Sequence, residues 1–169
     1  MPVISNDEHI RLWSKAKDTL CGAPVVCREG KARRIRVEDI RPTEDGALDH
    51  RLRVSIVDPD APETPHHDAP GQGQLILESR PPEPGAAAEK ALVLTGWEVR
   101  PRGTGVGEAF MGQLTAFADR HGMPMQVTNA PEGETREKRD RFWRRHGFRD
   151  TGNAYLEYWR PVGGARRKR

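Results

Sequence analysis

The chain has 169 residues, 35% of them hydrophobic and 31% charged, with a formal charge of +3, which is the length and balance of one ordinary water-facing domain. No stretch approaches the ~20 apolar residues needed to cross a bilayer, and Met1-Pro2-Val3-Ile4 runs straight into polar residues without the basic and apolar regions of a secretory signal, so a cytoplasmic location is expected. Cys21 and Cys27 are too few for a disulfide framework or, alone, for a structural zinc site; reduced thiols and no metal are expected.

Asn6 or Asp7 can cap a first helix running to about Leu20, with Ile10, Trp13, Ala16 or Lys17, and Leu20 near one face, before Gly22 and Pro24 stop it. Short runs rich in β-branched residues follow at Val25-Val26-Cys27, Ile35-Arg36-Val37 and Leu52–Val57, the last with the two-residue alternation of a half-buried strand. Asp58–Gly73 and Pro81–Gly85 are crowded with proline, aspartate, histidine and glycine and read as surface loops around a strand at Gln74–Glu78. Lys90–Val99 is the longest apolar strand candidate and should be central. Phe110, Leu114 and Phe117 then recur at helical spacing, giving a helix from about Val106 to His121. A strand at Met123–Asn129, a charged helix at about Glu132–His146 and a hairpin within Phe148–Pro161 complete the pattern. The whole reads as one α/β domain over residues 1–163, with a mixed sheet. The tail at 164–169, carrying Arg166-Arg167-Lys168-Arg169, reads as a solvated basic end that could touch nucleic-acid phosphates.

The strand ending at Val99 feeds Arg102-Gly103-Thr104-Gly105-Val106-Gly107 and then a helix. That arrangement gathers backbone N–H groups and the positive end of a helix dipole around one point, where an anion fits, and glycine at 103, 105 and 107 removes the Cβ atoms that would hinder a phosphate. A nucleotide-binding loop of the Walker type would end in Gly-Lys-Ser/Thr, whereas this one ends Gly107-Glu108-Ala109, and a dinucleotide fingerprint would have Gly-x-Gly-x-x-Gly near the N-terminus. A plain turn that binds nothing is the bland alternative.

The stretch Val99-Arg100-Pro101-Arg102-Gly103-Thr104-Gly105-Val106-Gly107 resembles the acetyl-CoA signature of the GNAT superfamily of N-acetyltransferases, Arg/Gln-x-x-Gly-x-Gly/Ala after a strand ending in Val-x-Pro. Further on, Phe142-Trp143-Arg144-Arg145-His146-Gly147-Phe148 looks like the same family's aromatic-Tyr-x-x-x-Gly-Phe segment. The resemblance covers roughly residues 90 to 160. It implies a GNAT-type fold, a central mixed, mostly antiparallel sheet flanked by helices, and acetyl-CoA as cosubstrate without a metal. The amides of Arg102, Gly103, Thr104, Gly105, Val106 and Gly107 would hold the pyrophosphate, the main chain from Trp97 to Val99 would pair with pantetheine, and Asn129 would hydrogen-bond the pantetheine arm.

The implied reaction is attack of a neutral amine on the thioester, with a base for the ammonium proton and an acid for the departing thiolate. The family's tyrosine acid is replaced by Trp143, whose indole N–H donates a hydrogen bond but no proton. Tyr155 and Tyr158, in the last hairpin, read as packing residues. Glu98 is the first candidate base and Glu78, one strand earlier, the second; His66-His67 lies in a proline-rich loop able to fold over a substrate. The acceptor, a small molecule or a protein amine, is not written in the sequence. A relative that binds CoA or nucleic acid without efficient catalysis is the alternative, and Trp13, Trp159 and the final hairpin could form an exposed apolar edge for a homodimer.

Overall fold

A computed structural model describes residues 4–26, 28, 30–39, 51–99, 105–128, 135–154 and 156–164. The first helix, α1 (Asn6–Leu20), is capped by Ser5 rather than by Asn6 or Asp7. The spacing Ser-x-x-Glu decides this: Glu8 N–H donates to Ser5 Oγ at 3.2 Å and Ser5 N–H donates back to Glu8 Oε2 at 3.3 Å, so two otherwise orphaned donors are satisfied reciprocally. Ser5→Ala should therefore cost about 1 kcal/mol in urea unfolding. The buried face also differs from the expected one. Leu12, Trp13, Ala16 and Leu20 are buried, joined by His9, whose Nε2 donates to Leu77 O at 3.1 Å, while Ile10 is 58% exposed.

Strands β1 (Pro24–Val26), β2 (Ala32–Asp39), β3 (Leu52–Val57), β4 (Gly71–Arg80) and β5 (Glu89–Val99) form an antiparallel run. Helix α2 (Val106–Arg120) then crosses over to β6 (Met125–Thr128), which pairs with β5 in parallel. Helix α3 (Arg136–Arg145) and the short antiparallel strands β7 (Arg149–Asp150) and β8 (Tyr158–Arg160) finish the chain. The sheet order is β1-β2-β3-β4-β5-β6-β8-β7, so the described residues form a mixed, mostly antiparallel sheet in which β5 is both interior and longest, as its apolar content demands. β4 starts at Gly71, earlier than expected, because Gly73 is part of the packing: a Cβ there would sit 3.1 Å from the Trp97 ring, which lies across the strand.

Register sorts the sheet residues into two faces. Ile35, Val37, Val54, Ile56, Leu75, Leu77, Leu92, Leu94, Met125, Val127 and Tyr158 share one face and one core cluster with the buried side chains of α1, α2 and α3. The helices therefore cover a single face. The opposite face carries no helix among the described residues; over its β2–β4 half lies the 58–70 loop, with a short 3-10 turn at His66–Asp68. An exposed apolar edge built on Trp13 and Trp159 does not exist in the monomer, since the two rings are 6% and 2% exposed.

One ion pair, between a buried arginine and a partly exposed aspartate, closes the C-terminal side. Arg160, 6% exposed, sends Nη1 and Nη2 to the two carboxylate oxygens of Asp119 at 2.7 and 3.0 Å, and Nε to His146 O at 2.7 Å. It thus ties β8 to the end of α2 and to the residue capping α3. Cys21 is a free, exposed thiol, and no helix among the described residues is long and apolar enough to cross a membrane.

Candidate functional site

β5, α2 and β6 form a strand–helix–strand crossover, so the start of α2 stands at the carboxyl ends of two adjacent parallel strands. In open sheets this is where ligands settle, because the helix dipole and free N–H groups point there. The helix start is well suited to an anion. Its N-cap is Gly105, in the left-handed region at φ +81°, which offers no capping side chain. The first bond of the helical ladder is Ala109 N–H to Gly105 O at 3.1 Å, so the amides of Val106, Gly107 and Glu108 come before it. Gly107 lies close beneath the neighbouring walls: a Cβ there would sit 3.5 Å from Val99 and 3.6 Å from Phe142.

Charge gathers at the same place. Glu108, in the first turn, holds Arg145 at 2.9 Å and Arg28 at 3.5 Å. Both side chains keep about half or more of their surface in water, so the group places two cations and one anion around an already positive helix end. His146, capping α3, is half-buried and held in its neutral form by that burial, with Arg145 and Arg160 opposing and Glu108 favouring its protonation.

β5 is deformed just before it reaches this point. Gln74 pairs with Thr95 but Gln72 pairs with Glu98, so one residue of β4, Gly73, faces two of β5, a bulge at Gly96–Trp97. Gly96 takes φ +64°, a conformation natural to glycine. The bulge turns Trp97 into the helix-side core, where it stacks on Phe110 at 4.5 Å between ring centres, while Thr95 and Glu98 share the opposite face. The described part of the β5–β6 ladder ends at Thr95 and Thr128.

The structure brings some expected site residues together and separates others. Trp97, Val99, Gly105, Val106 and Gly107 converge on the crossover, and Glu98 stands at its bulge. Arg102, Gly103, Thr104, Asn129, Tyr155 and the tail at 166–169 lie outside the described residues. Glu78 does not join the group: it is four residues along β4 from Gln74, roughly 13 Å away, and its carboxylate is held by Arg80 Nε at 2.7 Å. Trp143 is a core residue, 2% exposed, packed edge-on against Phe142 and Phe148 at 4.9 and 5.3 Å. Tyr158 is buried too and donates its phenolic proton to Asp140; burial, reinforced by that carboxylate, raises its pKa well above the ordinary phenol value.

The chain matches no protein-family model and no curated protein.

The helix-free face adds residues whose place is not evident from their spacing. Two rows run across the sheet there: Glu38, Arg53, Gln74 and Thr95 pair in register, and beside them Arg36, Ser55, Gln72 and Glu98. The bulge of β5 lies between the ends of these rows. The 58–70 loop is fastened over the second row by Arg36 Nη1 to Pro62 O at 2.8 Å, Gln72 Nε2 to His67 O at 3.2 Å, and a 2.7 Å contact between Ser55 Oγ and His66 Nδ1. The adjacent histidines thus part company: His67 is exposed beside Asp68, whereas His66 is half-buried and kept neutral by burial and by the charges of Arg53 and Arg36.

Proposed function

We propose that this protein is an N-acetyltransferase of the GNAT type that moves an acetyl group from acetyl-CoA to an amine. The observation that carries the reading is the β5–α2–β6 crossover, with a bulged strand and a helix whose N-cap is a left-handed glycine. The amides of Val106, Gly107 and Glu108, which precede the helical ladder and receive no side-chain cap from Gly105, suit a pyrophosphate, with Arg28 and Arg145 beside them. The backbone of Trp97 to Val99 suits the amide-bearing pantetheine arm, which can add to a strand as a further strand would. In the transfer, the amine nitrogen attacks the thioester carbonyl carbon, the carbon–sulfur bond breaks, and CoA leaves as thiolate. Glu98, at the bulge of β5, would take the ammonium proton, directly or through one water.

Trp143 supports a second reading, CoA binding without efficient turnover, because a buried indole supplies no proton to the thiolate. One pair of measurements separates the two. Saturating acetyl-CoA, at about 100 times its dissociation constant, should stabilise the fold by about 2.7 kcal/mol, and a panel of amines should release free thiol in the presence of protein. Stabilisation without thiol release selects the binding protein; absence of stabilisation rejects both.

A further inference from the structure

The helix-free face contains a cavity of about 670 Å³ lined by residues of β2, β3 and the 58–70 loop and by none of α2. Most polar groups around it are committed to one another. Arg36 donates to Pro62 O and, at 3.3 Å, to Ser55 Oγ, while its Nε faces Glu38 Oε1 at 2.8 Å. His66 is held by Ser55, and Glu63, which also lines the cavity, is exposed to water. Arg36 Nε, beside Glu38 but without a hydrogen bond to it, still has that counter-charge, whereas Arg53 has none among the described residues. It pairs in register with Glu38, yet among the described residues no carboxylate forms an ion pair with it, and its Nε is shut off from solvent without a hydrogen-bond partner. A guanidinium with a buried, unused donor is costly to leave so, and its planar fork fits a carboxylate.

Place gives this group a purpose. Arg53 stands in the row that ends at Thr95, on the same face as Glu98 and next to the bulge. Two strand spacings separate its backbone from that of Thr95, about 10 Å. One short molecule can therefore hold an acid group at Arg53 while presenting an amine near Glu98. The structure assigns this cavity, given the acetyltransferase reading above, to the carboxylate of an amino-acid-like acceptor, with Arg53 as the residue that selects it. The neutral state of His66 suits that role, since the ring can donate a hydrogen bond to the carboxylate without adding a second full charge.

The test is a titration of the full-length protein, with and without CoA, by glycine, β-alanine, 4-aminobutyrate and 6-aminohexanoate and by the corresponding amino amides, following the Arg53 Nε–H resonance. At least one amino acid should bind and move that resonance, and its amide should bind about tenfold or more weaker. Arg53→Met should abolish the preference for the acid and Arg53→Lys should keep part of it, with thermal stabilisation by acetyl-CoA unchanged in both. Equal binding of acids and amides, no binding by any member, or an unaltered preference in Arg53→Met overturns the assignment. The two readings fail separately. If acetyl-CoA binds while the acids do not, only the acceptor assignment falls; if the acids bind at Arg53 and acetyl-CoA does not, the transferase reading falls and an anion site remains.

Discussion

Gly105→Ala should destabilise the protein by roughly 1–2 kcal/mol from backbone conformation alone and should weaken acetyl-CoA binding by a larger factor than that loss explains. The glycine sits at φ +81°, where an L side chain crowds its own carbonyl. A Cβ built there would also lie 2.9 Å from Arg28 Cγ and 3.3 Å from Arg28 N, so the chain at Arg28 has to move as well. Arg28 is one of the two cations drawn to the helix start by Glu108. The substitution therefore shifts the first turn of α2 and a neighbouring charge together. Urea unfolding measures the first effect and acetyl-CoA titration of the folded fraction the second. Gly112, in the same helix, is the internal control, since a Cβ added there would meet nothing within 4 Å. Gly112→Ala should be neutral or stabilising, because alanine is the better helix former.

Asp119→Ala should cost about 3 kcal/mol, which in a chain of this size lowers Tm by on the order of 10 °C. The substitution leaves the buried Arg160 guanidinium without its counter-charge and takes an acceptor from Gly163 N–H, which donates to Asp119 Oδ1 at 2.8 Å. The pH dependence follows from the same contact. The Arg160 guanidinium, with the Gly163 amide, holds the Asp119 carboxyl below its usual range against the opposing effect of burial. A carboxyl with a lowered folded pKa adds stability that is fully present above its unfolded value, near ~4. That stability is lost as the pH falls through the folded pKa. The wild type should lose stability in this acid window more steeply than Asp119→Asn, and the two should run parallel at neutral pH.

Much of the fold is legible because its elements announce themselves locally. The unbroken apolar run from Ala91 to Leu94 marks an interior strand, and Phe110, Leu114 and Phe117 mark the buried side of α2. Expectation and structure part where tertiary contacts override local spacing. Ile10 has the right period for the core, but Leu12 and Ala16 set the rotation of α1. Gly71 and Gly73 read as loop because glycine disfavours strands, whereas here their missing side chains make room for Trp97. Trp159 reads as an exposed edge because nothing local to a three-residue strand shows that it lies between β6 and β7.

The site divides in the same way. The glycine loop is contiguous, so its approach to a helix start can be read directly from the sequence. The rows on the helix-free face are assembled from β2, β3, β4 and β5, far apart in the chain, and only the register brings Arg53 and Ser55 into line with Thr95 and Glu98. A weak signal does exist: Arg53 and Ser55 alternate with Leu52, Val54 and Ile56, which places them together on the side away from the core. The bulge at Gly96–Trp97 has no comparable signal beyond an isolated glycine within a strand.

Amide hydrogen exchange with and without acetyl-CoA reports where the cosubstrate sits without requiring turnover. Protection should rise at Gly105–Glu108 and at Trp97–Val99, and should vanish from the first of these in Gly105→Ala. Unchanged exchange at both segments under saturating acetyl-CoA, or protection confined to other parts of the sheet, would rule out acetyl-CoA binding at the start of α2.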